Sequence, residues 1–216
     1  MTNTSGTEAP LVDKRRAKAL GTRQAIIDAV VALQAEGVAR PRAEQIAERA
    51  GISRRSVFQH FPDREKLVAA VFDALQHRIG LPPPPREDLL GDIDMRLDRF
   101  LDRRVALLEA ITPHRRAANL LLSESRTIAE RRQQVRVRMR DEIRLFFRPE
   151  IQGVPARRRG ERLDALAALA DWEMWESLRG QWGHPPARAR RILRSLILAS
   201  LRFEGPDPDE GQRCCT

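Results

Sequence analysis

The stretch from Ala43 to Phe61, AEQIAERAGISRRSVFQHF, constrains this chain more than any other. Ala43, Ile46, Ala47 and Ala50 recur at helical spacing before Gly51, and Val57 and Phe61 stand four apart after it. Two short helices that cross steeply need a small residue at the crossing, here Ala47. They also need a hinge residue that takes left-handed backbone at no Cβ cost, here Gly51. Ile46, Ala50, Ile52 and Val57 supply the apolar joint. Ser53 caps the second helix and turns its first amides outward, where phosphates dock. With Val57 and Phe61 inward, Arg55 and Gln59 take the opposite side, flanked by Ser56 and Phe58. That outward face suits a DNA major groove: Arg pairs with guanine O6 and N7, and an aromatic edge packs on a thymine methyl.

The rest of the chain also reads as helices, with Gly and Pro between periodic segments rather than inside them. Thr22 is the expected N-cap of a first helix carrying Ile26, Val30 and Leu33, and Gly37 its stop. Pro62 cuts the third helix, and Asp63 caps a fourth with the stripe Leu67, Val68, Val71, Leu75 and Ile79. Gly80 to Pro85 contains four consecutive prolines, a stiff spacer and a natural boundary. Longer amphipathic segments follow at about 86–111, 113–124, 126–148, 160–182 and 186–203. Breaks are expected at Thr112-Pro113, Gly153-Val154-Pro155 and Gly183-His184-Pro185-Pro186. The expected organisation is an all-α chain in five parts: a flexible arm 1–17, a helix-turn-helix domain 18–80 with its motif at 42–61, a proline linker 81–85, a helical domain 86–204 and a disordered tail 205–216.

Charge agrees with a polyanionic partner. The net charge is +9 and the pI 11.0. Lys14, Lys18 and Lys66 are the only lysines, so 36 of the 39 basic residues are Arg. A chain this basic is attracted to nucleic acid, although the arginines spread too widely to locate a site. No apolar run reaches the roughly 18 residues of a membrane span, and residues 1–13 lack the apolar middle of a secretion signal; the reading is cytoplasmic. The only cysteines, Cys214 and Cys215, have no Cys or His neighbours for a zinc site. Glu-x-x-His pairs, HExxH and phosphate-binding Gly loops do not occur, so neither an enzyme nor a metal or cofactor is expected.

From Thr22 to Leu75, and above all in IAERAGISRRSVFQHFPDREKLV, the sequence resembles the tetracycline-repressor-like (TetR) regulators. The family's run of aromatic, variable residue, His or Tyr, then Phe is Phe58-Gln59-His60-Phe61 here, with a basic residue, Arg64, just inside the next helix. The resemblance implies that Arg54, Arg55 and Phe58 face bases, while Ser56, Gln59, His60 and Arg64 hold phosphates. It departs from the family in two places. Phe58 replaces the usual Tyr, removing a hydroxyl, and Pro41-Arg42 replace paired Thr residues; Pro41 suits a first helical position, and Arg42 offers a charged contact instead.

Segments 160–182 and 186–203 are apolar around most of their circumference, so a second subunit is expected to cover them. The resemblance implies the same, a homodimer through the last two helices. Arg104 and Glu142 fall on apolar stripes, where a charge must be paired or serve a ligand. With His114, Met139, Trp172 and Trp175 they are the expected lining of a small-molecule effector pocket. The resemblance further implies a repressor released from an inverted-repeat operator by that effector. A DNA-binding protein of the same fold governed by a protein partner, with no effector, is the alternative reading.

Overall fold

The structure, a computed structural model, describes residues 9–120 and 126–203. The expected tail with Cys214 and Cys215, and the first residues of the expected arm, lie outside that range. The chain divides into two compact units, one of Met1–Gly80 with Ala110–Arg132, the other of Leu81–Glu109 with Gln133–Thr216. One crossing between them falls after Gly80, at the start of the proline run, and the first unit also takes in residues 110–132, expected in the helical body. Among the described residues every regular element is a helix, as the all-α reading anticipates. No described helix is long and apolar enough to cross a membrane.

The first unit begins with α1 (Ala9–Ala35), followed by α2 (Ala43–Ala50), α3 (Arg54–His60) and α4 (Arg64–Ile79). Helix α1 starts well before the expected boundary, so residues 9–17, read as arm, are helical. Thr22 caps nothing: its Oγ1 donates to the Lys18 carbonyl one turn back at 3.0 Å. A threonine inside a helix can satisfy its hydroxyl this way, which a sequence pattern cannot distinguish from a cap. The two glycine stops are where expected. At Gly37 (φ 91°) the Val38 amide reaches back to the Leu33 carbonyl at 2.9 Å and the Gly37 amide to that of Gln34 at 3.0 Å. This double bond pattern closes a helix through a left-handed residue. Ile26, Ile27, Ala29, Val30 and Leu33 of α1 pack in one core with Ile46, Ala47, Val57, Phe61 and Val71.

The second unit opens with the extended prolines and a 3-10 turn, Arg86–Leu89. Helices α5 (Ile93–Asn119) and α6 (Arg126–Phe146) each belong partly to both units. Then come α7 (Arg148–Gln152), α8 (Ala156–Ala170), α9 (Trp172–Glu176), a π-helical turn at Ser177–Gln181 and α10 (Pro186–Arg202). The segment expected from 86 becomes α-helical only at Ile93, and two further expected segment ends differ. Helix α5 runs through Pro113, which deletes only the bond its own nitrogen would have given Glu109, at the point where the chain passes between units. The segment 160–182 is instead interrupted at Asp171, whose extended backbone ends α8 and whose carboxylate accepts from the Trp172 amide at 2.7 Å to start α9. Aspartate at an N-cap explains the break, and the apolar count alone concealed it.

A buried ion pair ties the second unit together. Arg96, 5% exposed, donates to both Glu150 oxygens at 3.0 and 2.5 Å and to the Phe146 carbonyl at 2.5 Å. Beside it Phe100 meets Phe146 and Phe147 edge-on at 5.4 and 5.3 Å. A ladder of Asp94, Asp98 and Asp102 on α5 faces Arg190, Arg194 and Arg202 on α10, and Arg194 and Arg190 hold the Asp98 carboxyl below the usual range. These exposed pairs contribute little each, whereas breaking the buried pair strands a charge. Glu150→Ala is therefore expected to lower stability by about 3–5 kcal/mol, against under about 1 kcal/mol for Asp102→Ala, in urea unfolding followed by circular dichroism.

Candidate nucleic-acid interface

Helices α2 and α3 meet as the sequence requires. The Gln45 side chain accepts from the Arg42 amide at 2.9 Å, fixing the start of α2. Arg42 is the N-cap itself, so Pro41 precedes the helix rather than opening it. Gly51 takes φ 65° and ψ 34°, the Ile52 amide returns to the Ala47 carbonyl at 3.0 Å, and the Gly51 amide to that of Glu48 at 3.2 Å. Ser53 then accepts from the Ser56 amide at 3.1 Å and starts α3, and Asp63 accepts from the Glu65 amide at 2.8 Å and starts α4.

This frame sets the outward face. Val57 and Phe61 are each 4% exposed, while Phe58 is 49% exposed. Arg42, Arg54, Arg55, Gln59 and Arg64 are exposed, and Ser56 and His60 half-buried. All eight residues expected to contact DNA thus belong to the first unit, on or beside α2, α3 and the start of α4. Their charges are not equivalent. Arg54 pairs with Glu44 at 2.9 Å and lies over the Phe58 ring at 5.7 Å. Among the described residues Arg55 and Arg64 have no such partner, so neither guanidinium is engaged within the chain.

Two supporting residues escaped the sequence reading. Arg23 on α1 stacks over the Phe61 ring at 4.1 Å and donates to the His60 carbonyl at 3.3 Å, holding the end of α3. Arg49 clasps Glu36 with two bonds of 2.7 and 2.6 Å, joining the end of α2 to the end of α1, and holds the Glu36 carboxyl below the usual range. Both contacts join residues far apart along the chain, and only the fold brings them together.

The expected effector residues are placed differently. His114 lies in the first unit, its Nδ1 3.1 Å from Gln34 Oε1, and burial pushes its pKa down. The other five lie in the second unit. Arg104 stays inside, donating to the Ala170 carbonyl at 2.8 Å and to Met139 Sδ at 2.5 Å. Burial pushes its pKa down, opposed by Glu142 and Asp171. Glu142 pairs with Arg103 at 3.5 Å. Trp172 is buried, and Trp175, fully buried, donates from Nε1 to Glu109 at 2.8 Å. A cavity of about 360 Å³ reaches Met139, lined also by Arg136, Val137, Arg140, Ala167 and Asp171.

Residues 26–71, spanning α1 to α4, match the family described as bacterial regulatory proteins, tetR family. Over 100 residues, 45% of this chain, it is 34% identical to TtgW of Pseudomonas putida, an uncharacterized HTH-type transcriptional regulator, and covers 69% of it. The chain belongs to the tetR family. It is also 34% identical over 100 residues to the HTH-type transcriptional regulator SrpR of Pseudomonas putida, of which the match spans 43%, less than half its length. In fold it is similar to a transcriptional regulator from Rhodococcus sp. Rha1 at 18% identity, with a TM-score of 0.57 over 88% of this chain and 99% of that one.

Gly51 offers a clean test of the tetR-type joint. A Cβ added there meets nothing within 4 Å, so the whole cost of Gly51→Ala is the left-handed backbone. A loss of about 1–2 kcal/mol is expected, and Gly160→Ala, helical and equally unobstructed, should instead stabilise slightly by chemical denaturation.

Proposed function

We propose that this protein is a sequence-specific DNA-binding transcriptional regulator that reads the major groove with α3. The observation that carries the reading is Arg55, exposed and without an ion pair among the described residues, in the first turn after Ser53, on a helix whose opposite face is locked into the core by Val57 and Phe61. Arg54 and Phe58 flank it for further base contacts. Arg42, Ser56, Gln59, His60 and Arg64 are suited to phosphates, which position a helix without carrying sequence information. Membership of the tetR family supports the same assignment.

The second unit fits dimerisation. On α10 the buried stripe is Ala189, Leu193, Ile197 and Leu201, while Leu196 is 40% and Phe203 66% exposed. Leu201 therefore belongs to the unit's own core, and Leu196 with Phe203 is the apolar surface left for a twin. A two-fold dimer presents two copies of α3, so the operator is an inverted repeat. Repression relieved by a small molecule is the regulatory mode we favour. The burial of Arg104, Trp172 and Trp175 within the second unit is the observation that favours a second reading, control by a protein partner.

Arg55 and Arg64 carry one charge each, which makes their contrast informative. Arg55→Ala is expected to cost about 1–3 kcal/mol per half-site and to relax preference at one base position. Arg64→Ala should weaken all sequences alike and lower the salt slope by about one unit per subunit. Fluorescence anisotropy across single-base operator variants and salt concentrations distinguishes them. A uniform loss for Arg55→Ala would make it a phosphate clamp and reverse the orientation assigned to α3.

A further inference from the structure

The second unit holds a groove in which arginines stand beside apolar side chains. It lies where the end of α6, α7 and the start of α8 meet, with a volume of about 480 Å³, within the range of small-molecule pockets. Leu163, 3% exposed, and Ile151, 8% exposed, form its floor, and Leu145, 49% exposed, forms an open lip. Arg140, Arg144, Arg148 and Arg159 stand around the rim. Three arginines of α10, Arg190, Arg194 and Arg202, are matched by Asp94, Asp98 and Asp102 of α5. Here the matching is incomplete. Arg140 pairs with Asp164 and Arg144 with Asp141, but Arg148 has no hydrogen bond or ion pair among the described residues. Among the described residues Arg159 is held only by backbone, donating from Nε to the Val154 carbonyl and from Nη2 to the Gln152 carbonyl, both at 3.1 Å. Those two bonds fix its guanidinium at the rim without neutralising it.

We propose that this groove binds an amphipathic organic anion, a carboxylate head on an apolar chain, with the head between Arg148 and Arg159 and the chain over Leu145, Ile151 and Leu163. A guanidinium is suited to a carboxylate because its parallel N–H groups match the two oxygens. Pre-orientation of Arg159 removes part of the ordering cost of binding. The apolar floor selects for the chain, so a small anion such as acetate lacks half of the recognition and a neutral chain lacks the other half. The site differs from the expected effector lining at Arg104, Trp172 and Trp175, and it does not depend on the DNA-binding reading.

The test is isothermal titration of the full protein, without DNA, with decanoate, acetate and 1-decanol, alongside thermal unfolding. Saturable binding of one decanoate per chain is expected, with a raised Tm, because a ligand that binds the folded state stabilises it. Acetate and 1-decanol are expected to bind at least about tenfold more weakly. Arg148→Ser, which breaks no hydrogen bond or ion pair among the described residues, should weaken decanoate by at least about tenfold and leave the unliganded Tm unchanged. Leu145→Asn should weaken decanoate but not acetate. Arg191→Ser, exposed on α10 and outside the groove, should change nothing. Equal affinity in Arg148→Ser, decanoate binding no tighter than acetate, or a Tm that only falls as a surfactant would make it fall, overturns the proposal.

Discussion

The burial of Val57 and Phe61 against α1 and α2 is the interaction on which the first unit depends. Helix α3 has only seven residues, far too few to be stable alone in water. Its shape is imposed by two side chains on its inner face, each worth about 1.5–3 kcal/mol on burial, and by Ser53 at its start. Arg23 adds a third constraint by stacking on Phe61 and bonding the last helical carbonyl. Because these contacts fix the rotation of α3 about its axis, they also fix that Arg55, Phe58 and Gln59 face outward. The proposed recognition face and the stabilising face thus belong to one short helix.

Much of that joint was legible in the sequence because it is local. Gly37, Gly51, Ser53 and Asp63 act through bonds to residues close by in the chain, and each does what its type and position imply. The same locality misled at Thr22, where a hydroxyl that could cap instead bonds back one turn, and at Pro113, where a helix absorbs one missing bond. Asp171 carried a readable cap signal, but an apolar count around it outweighed a single acidic residue.

What lay beyond the sequence is long-range. Arg96 finds Glu150 54 residues away, and Asp98 finds Arg194 at a distance of 96. In a chain with 36 arginines, nothing local marks which one is buried. Arg104 was singled out because it interrupts an apolar stripe, and it is indeed buried; Arg96 is buried about two turns earlier and was passed over. Of the six residues grouped as an effector lining, His114 falls in a different unit from the other five, since a helix that spans two units carries its neighbours in sequence into different surroundings.

Selection of DNA by the full-length protein from a random-sequence pool, read by sequencing, tests the central claim most directly. Outward rotation of α3 in a two-fold assembly predicts an inverted repeat whose half-sites lie about one helical turn apart or somewhat more. Enrichment of sequences without two-fold symmetry, or no enrichment over the starting pool, would contradict it.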